Sequence, residues 1–150
     1  MKKLIREEIR DIRPYVPGKP ISDVKREYQL DNVIKLASNE NPLGASPKVI
    51  DAISKNLNFL NIYPDGYCYE LRKKLSEKHK VNMDNLCFGD GSNEILGMLT
   101  QAFINYGDEV LFCSPSFIEY YRLTKIMGGI PIQIDLDEDM KFDLNGILEK

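Results

Sequence analysis

The stretch NLCFGDGSNEILGMLTQAFINYGDEVLFC, residues 85–113, decides the fold class that we predict for this chain. It holds two short apolar runs on either side of a longer segment with helical periodicity. The alternation continues downstream, and the predicted elements are a strand over 85–88, a helix over 93–104, a strand over 109–113, a helix over 117–127, a strand over 130–135 and a helix from Asp143. Strands that alternate with helices favour right-handed crossovers and a mostly parallel sheet, so the predicted class is α/β.

Upstream of this stretch, proline interrupts the chain repeatedly, at positions 14, 17, 20, 42, 47 and 64. Because proline removes a backbone donor and restricts the residue before it, only short elements are expected here. They are a charged helix over 2–13, a helix from Ser22, a strand over 33–37, a helix with Ser46 as N-cap and Pro47 as its first residue, and a helix over 68–79. The last predicted helix has barely begun at Lys150, so we expect the sequence to stop within its fold.

The composition of the 150 residues argues against several classes of protein. Twenty basic and 23 acidic residues give a net charge of −3, so a nucleic-acid-binding surface is not expected. No apolar run approaches the roughly 20 residues of a membrane span. The 3 cysteines lie far apart and the 1 histidine is His79, so no disulfide framework and no metal site are predicted. With no export signal visible, we expect a cytoplasmic protein.

The sharpest local motif is the glycine turn that opens the helix predicted over 93–104. Gly89 and Gly91 allow a ligand to approach the backbone closely, and Ser92 is predicted to be the N-cap. Helix N-termini bind phosphate through free N–H groups. Glu94 stands where a dinucleotide fingerprint needs glycine or alanine, so one phosphate group fits better than a pyrophosphate. A capped helix without any ligand is an equally favoured interpretation.

Three further segments offer side chains that suit a ligand, each with a purely structural alternative. Phe117 follows the strand predicted over 109–113 and could stack on a planar ring, although a core position alone would explain it. Tyr63 offers a phenol beside the rigid turn Pro64-Asp65-Gly66, and the polar segment 39–42 could contact a polar substrate. Both of these segments also have the composition of ordinary turns.

In order and spacing, five segments together resemble the class I/II, fold-type I, pyridoxal-phosphate-dependent aminotransferases. They are RPYVPGKP (13–20), LASNENPLG (36–44), YPDG (63–66), GDGSNE (89–94) and SPSFIEY (114–120). Within this family the chain is most similar to the histidinol-phosphate aminotransferase subfamily. The resemblance implies part of a three-layer α/β/α large domain with an irregular N-terminal arm. It divides the chain into an arm and small-domain segment over 1–61 and the first part of the cofactor-binding large domain over 62–150.

The resemblance also implies a role for individual residues. Gly91, Ser92 and Asn93 are expected to hold the phosphate of pyridoxal 5′-phosphate, with the N–H groups of Ser92 and Asn93 as donors. Phe117, where many relatives have tyrosine, is expected to stack on the pyridine ring. Tyr63 is expected to reach the phosphate of the partner's cofactor across a homodimer interface. The residues expected to line the substrate pocket are Tyr15, Asn39, Glu40 and Asn41.

The implied reaction transfers an amino group between L-glutamate and imidazole-acetol phosphate, giving L-histidinol phosphate and 2-oxoglutarate in histidine biosynthesis. The Schiff-base lysine of the family is expected beyond residue 150, so the 150 residues alone are expected to be inactive, with no catalytic residue among them. Three alternatives stay open at this point. They are a threonine-phosphate decarboxylase, an aromatic amino-acid aminotransferase of the same fold, and a non-catalytic phosphate-binding or interaction domain.

Overall fold

The computed structural model describes residues 4–14 and 16–150, and its contacts divide them into two compact units. One unit consists of the described residues of Pro14–Lys80. The other joins the described residues up to Arg13 with Val81–Lys150. This grouping by contacts differs from the division at residue 61 that the sequence suggested, which concerns functional domains and stays a prediction. Each unit is described by itself.

The unit within Pro14–Lys80 is built from short helices. Its three α-helices are α1, Ile21–Tyr28, α2, Pro47–Asn56, and α3, Tyr69–His79. The predicted start of α2 is confirmed, since Ser46 precedes the helix and Pro47 is its first residue. A turn of 3-10 helix, Leu57–Phe59, continues from it. In the described residues, no helix is long and apolar enough to cross a membrane.

The strand predicted over 33–37 is wrong, because none of these residues joins a sheet in the structure. An apolar run becomes a strand only when a neighbouring strand takes up its backbone hydrogen bonds. Among the described residues of this unit no such neighbour exists. Instead, Val33 and Lys35 are half-buried along a hollow bordered by the polar segment 38–42.

The second unit has the predicted alternation of helices and strands. Its elements are α4, Gly91–Phe103, β1, Glu109–Ser114, α5, Ile118–Met127, β2, Ile130–Asp135, and α6, Leu144–Leu148. β1 and β2 are parallel, with Glu109 opposite Ile130 and Cys113 opposite Ile134. The α/β class is thus visible in this unit as a helix–strand–helix–strand–helix order with a parallel strand pair.

Two predictions for this unit are wrong. In the described residues, the helix predicted over 2–13 is replaced by short 3-10 structure that includes the turn Glu7–Ile9, because so short a helix gains little without an apolar face packed along its length. The strand predicted over 85–88 is replaced by a 3-10 turn, Met83–Asn85, followed by extended backbone at Leu86. That backbone has strand-like dihedral angles, but the sheet of the described residues consists of β1 and β2.

The core of this unit lies between the strand pair and α5. Cys113 on β1 and Ile134 on β2 are buried, and Thr124 on α5 is fully buried with its hydroxyl donating to the carbonyl of Tyr120 at 2.7 Å. Gly128 follows the last residue of α5 and ends the helix, as predicted. Its φ of +80° is one that glycine adopts without strain, and a Cβ there would lie 2.7 Å from the ring of Tyr106. This turn fixes the amino end of the sheet.

Candidate functional site

The glycine turn before α4 has a defined backbone geometry. Asp90, with φ −76° and ψ 75°, lies at the centre of a three-residue turn in which the N–H of Gly91 donates to the carbonyl of Gly89 at 2.9 Å. Gly91 has a φ of +79°, a conformation that favours glycine. The helix begins at Gly91 with Asp90 as its N-cap, so the prediction that Ser92 is the N-cap is wrong. Glycine tolerates the positive φ, so the helix starts before Ser92.

Ser92 and Asn93 consequently lie in the first turn of α4. The first N–H groups of a helix have no acceptor within it, and among the described residues the structure gives the N–H groups of Ser92 and Asn93 no other acceptor. Both residues are exposed. The turn therefore presents two free donors and the positive end of a thirteen-residue helix dipole to solvent.

The carboxylate of Glu94 stabilises the glycine turn. Glu94 accepts a hydrogen bond from the backbone N–H of Asp90. A Cβ on Gly89 would lie 2.9 Å from both the Oε2 of Glu94 and the Cδ1 of Ile95. Glycine at position 89 thus leaves room for the carboxylate that braces the loop. In the sequence, Glu94 served only as evidence against a dinucleotide fingerprint, and its hydrogen bond with Asp90 was not predicted.

Phe117 is the residue that immediately precedes α5, three positions after the end of β1. Its side chain is not in the core, since 47% of the residue is exposed. Its ring meets that of Tyr120 at 89°, with centroids 6.0 Å apart. An edge-to-face contact of this kind supports the ring on one side and leaves aromatic surface open.

Ser92, Asn93 and Phe117 lie toward the same end of the sheet. Gly129, just before β2, is in contact with Ile104 at the end of α4 and with Thr124 near the end of α5. Both helices therefore end at the amino end of the strands, and α4 packs beside α5. Their N-termini point to the carboxyl end, where open α/β sheets bind ligands. The predicted juxtaposition of a helix N-terminus and an aromatic ring at this edge is present.

An apolar hollow of about 440 Å³ adjoins Phe117 at this edge. It is lined largely by aromatic and aliphatic side chains, namely those of Leu111, Phe112, Cys113, Phe117, Tyr120, Phe142 and Ile147, together with Ser116. Ligand pockets are commonly apolar with few polar groups, so the ring of an aromatic ligand is chemically compatible with these walls.

The sequence did not reveal a partly buried ion pair at the start of α5. Glu119 keeps only 10% of its side chain exposed, and its Oε1 lies 2.5 Å from Nη1 of Arg122. The carboxylate lies in the first helical turn, where the dipole favours negative charge. The signal for this pair in the sequence is the i, i+3 spacing of Glu119 and Arg122, because residues three apart are neighbours on a helix. The pair lies within the first turns of α5, directly after Phe117.

In the other unit, Tyr63 is almost fully exposed, at 98%. It is followed by a turn that Asp65 closes: the carboxylate accepts the N–H of Tyr67 at 3.0 Å and that of Tyr69 at 2.8 Å. Hydrogen bonds from the N–H of Tyr69 and then of Tyr67 lower the pKa of Asp65. The turn interpretation of this motif is confirmed, and the phenol of Tyr63 stands clear of its own unit.

The segment 39–41 is also held by specific contacts. Asn41 forms a turn, since its Oδ1 accepts the N–H of Leu43 at 3.0 Å and its Nδ2 donates to the carbonyl of Gly44 at 3.3 Å. Glu40 pairs with Lys35, with Nζ and Oε1 2.5 Å apart. Asn39 is exposed. Tyr15 lies outside the described residues, so the prediction for it has no structural counterpart here.

The sequence of this chain is similar to those of known aminotransferases. A family model described as aminotransferase class I and II matches residues 31–150. A curated histidinol-phosphate aminotransferase from Caldicellulosiruptor saccharolyticus is 54% identical over 89% of this chain and 37% of its own length. A curated protein of the same name from Moorella thermoacetica is 48% identical over 86% of this chain and 33% of its own length. The chain therefore spans little more than a third of these relatives.

Solved structures with similar folds include two aminotransferases. The histidinol-phosphate aminotransferase from Sinorhizobium meliloti, in complex with pyridoxal-5′-phosphate, superposes with a TM-score of 0.81 at 19% identity, over 97% of this chain and 38% of its own. An Escherichia coli aminotransferase gives a TM-score of 0.77 at 23% identity, over 97% and 39%. At these identities the likeness shows the fold, and it confirms the predicted fold class.

Proposed function

Because the chain belongs to the class I and II aminotransferases, we propose that the whole protein is a pyridoxal-phosphate-dependent transaminase. It exchanges an amino group between L-glutamate and imidazole-acetol phosphate, giving L-histidinol phosphate and 2-oxoglutarate in histidine biosynthesis. The observation that carries this proposal is the 54% identity to a curated histidinol-phosphate aminotransferase over 89% of the chain. Such a biosynthetic role goes with a cytoplasmic location.

The residues at the start of α4 fit the phosphate of pyridoxal 5′-phosphate. The N–H groups of Ser92 and Asn93 are free, and a Cβ built on Gly91 would have no neighbour within 4 Å, so an anion can approach the backbone. The carboxylate of Glu94 is engaged with the N–H of Asp90. In this proposal Ser92 and Asn93 donate to the phosphate, and Gly91 keeps the approach open.

Phe117 would support the pyridine ring. Its exposed face at the carboxyl end of the sheet and its edge contact with Tyr120 support this assignment. When bound, pyridoxal phosphate supplies an electron sink that stabilises negative charge at the α-carbon of the substrate. The contribution of Phe117 is to fix the orientation of the ring, and the pair of Glu119 and Arg122 stabilises the first turns of α5.

Tyr63 is assigned to a contact across a homodimer. A phenol that is 98% exposed gains nothing from its own unit, and a tyrosine hydroxyl is a good donor to a phosphate. We therefore propose that Tyr63 of each subunit donates to the phosphate bound by the other. Pocket residues for the substrates are proposed to be Tyr15, Asn39, Glu40 and Asn41, with Asn41 also shaping the turn through Leu43 and Gly44.

The test of the function is a comparison of amino acceptors with the whole protein. With L-glutamate as donor, we expect kcat/KM for imidazole-acetol phosphate to exceed that for phenylpyruvate by at least about tenfold, because a site built to bind a phosphate loses binding energy with a substrate that lacks it. Release of carbon dioxide from threonine phosphate is measured in parallel. A preference for phenylpyruvate, or decarboxylation as the main activity, would contradict the proposal.

A further inference from the structure

We propose that Asp65 is a positioning residue for Tyr63: it ties the turn that carries the phenol to the first residues of α3. This inference rests on the proposed function, because it gives Tyr63 a phosphate to reach. No contact of Asp65 with cofactor or substrate was predicted from the sequence, so the positioning role is a further assignment.

The carboxylate of Asp65 is the centre of a small hydrogen-bonded network. Its two oxygens accept the N–H groups of Tyr67 and Tyr69, at 3.0 and 2.8 Å, and its own carbonyl accepts the N–H of Cys68 at 3.0 Å. Tyr69 is the first residue of α3. Since Cys68 makes no side-chain cap, Asp65 supplies the capping oxygen from three residues further upstream.

Arg72 braces the same turn from one helical turn along. Its Nε donates to the carbonyl of Tyr67 at 3.1 Å, and its guanidinium lies 4.4 Å from the centre of the Tyr67 ring. Its backbone N–H donates to the carbonyl of Cys68 at 2.8 Å. These contacts therefore hold the segment from Asp65 to Arg72 together, and the segment continues into α3, a helix of eleven residues.

Tyr63 is joined to this segment by backbone with restricted rotation. Proline fixes its own φ and confines the residue before it to extended conformations, so Pro64 leaves few free rotations between Tyr63 and Asp65. The described residues give the Tyr63 side chain no hydrogen bond or ring contact. The backbone that Asp65 anchors therefore sets the position from which the side chain of Tyr63 projects.

The experiment is a double-mutant cycle in the whole protein, with the dissociation constant of pyridoxal phosphate as readout. We expect Tyr63→Phe to weaken binding about tenfold or more, since a hydrogen bond to a charged group is lost. Asp65→Ala should weaken it nearly as much, and Asp65→Asn, which keeps one accepting oxygen, should lie between Asp65→Ala and the unmodified protein. In the Tyr63→Phe background, Asp65→Ala should add less than about twofold, because the two changes remove the same contact.

Asp51→Ala is the matched control. Asp51 belongs to the same unit and pairs with Lys55 on the surface of α2, and it takes no part in the hydrogen bonds of the turn, so its removal should leave the dissociation constant unchanged. If Asp65→Ala does not fold, Asp65→Asn with Tyr63→Phe forms the cycle instead.

Each failure is distinguishable. Equal losses from Asp65→Ala in both backgrounds would overturn the positioning role while leaving the contact of Tyr63 intact. Unchanged binding in Tyr63→Phe would overturn that contact and the role of Asp65 with it. Absence of cofactor binding in the unmodified protein would overturn the proposed function itself.

Discussion

Single side chains decide whether the start of α4 can accept an anion. Gly89 leaves space for the carboxylate of Glu94, which would otherwise meet a Cβ at 2.9 Å. Glu94 uses that space to accept the N–H of Asp90. With the loop held in this way, the N–H groups of Ser92 and Asn93 have no acceptor among the described residues. The carboxylate of Glu94 is thereby hydrogen-bonded within the loop. Its negative charge lies in the first turn of α4, where the helix dipole stabilises it.

Phe117 gives the clearest single-residue prediction. Phe117→Ala in the whole protein removes the aromatic face, and we expect a loss of about 1 kcal/mol or more of pyridoxal phosphate affinity. Phe117→Tyr keeps the face and should bind within about twofold of the unmodified protein. Titration of the cofactor followed by absorbance measures both.

The control for this prediction is Phe103→Ala. Phe103 is 75% exposed at the opposite end of α4, so its replacement removes an aromatic ring without touching the proposed site. Equal affinities for Phe117→Ala and Phe103→Ala would count against the stacking role.

Among the secondary-structure elements, those over residues 91–135 were the most predictable. α4, α5 and β2 were predicted almost to their bounds, because strong hydrophobic periodicity and the glycines at 128 and 129 mark them locally. The runs at 33–37 and 85–88 are equally apolar but join no sheet among the described residues. Strand formation depends on a partner elsewhere in the chain, which a local pattern cannot reveal.

The candidate site was predictable to a similar degree. The sequence located Ser92, Asn93 and Phe117 at one sheet edge, since the order of strands and helices fixes that edge. It did not reveal the hydrogen bond from the N–H of Asp90 to Glu94 or the partly buried pair of Glu119 and Arg122. Those contacts depend on side-chain conformations that the backbone turn selects, and residue type alone does not specify them.

The cap of α3 carries a prediction about pH. Hydrogen bonds from Tyr69 and Tyr67 lower the pKa of Asp65 below its ordinary value of 3.8. A lowered pKa means that this cap stabilises the fold above the unfolded-state pKa and that the contribution is lost as the pH falls through the folded-state pKa. In an NMR titration, the amide protons of Tyr67 and Tyr69 should shift together with a midpoint below 3.8. Asp65→Asn should abolish this shared step, and a midpoint at or above 3.8 would contradict the assigned bonds.

For the molecule as a whole, the proposal requires a homodimer. We expect light scattering of the whole protein to give twice the subunit mass.

Mixing a Tyr63→Phe chain with one that lacks its cofactor lysine should form heterodimers in which one site combines the intact lysine of the first chain with the intact Tyr63 of the second. Those heterodimers should be more active than either parent, because one of their two sites has every group. An active monomer would refute the assignment of Tyr63 to the partner's site.

The central claim is that the start of α4 holds the phosphate of pyridoxal phosphate, and a crystal structure of the whole protein with the cofactor bound tests it most directly. We predict phosphate oxygens within about 3.2 Å of the backbone nitrogens of both Ser92 and Asn93, the usual limit for such hydrogen bonds. A cofactor phosphate beyond that distance from both nitrogens would contradict the account.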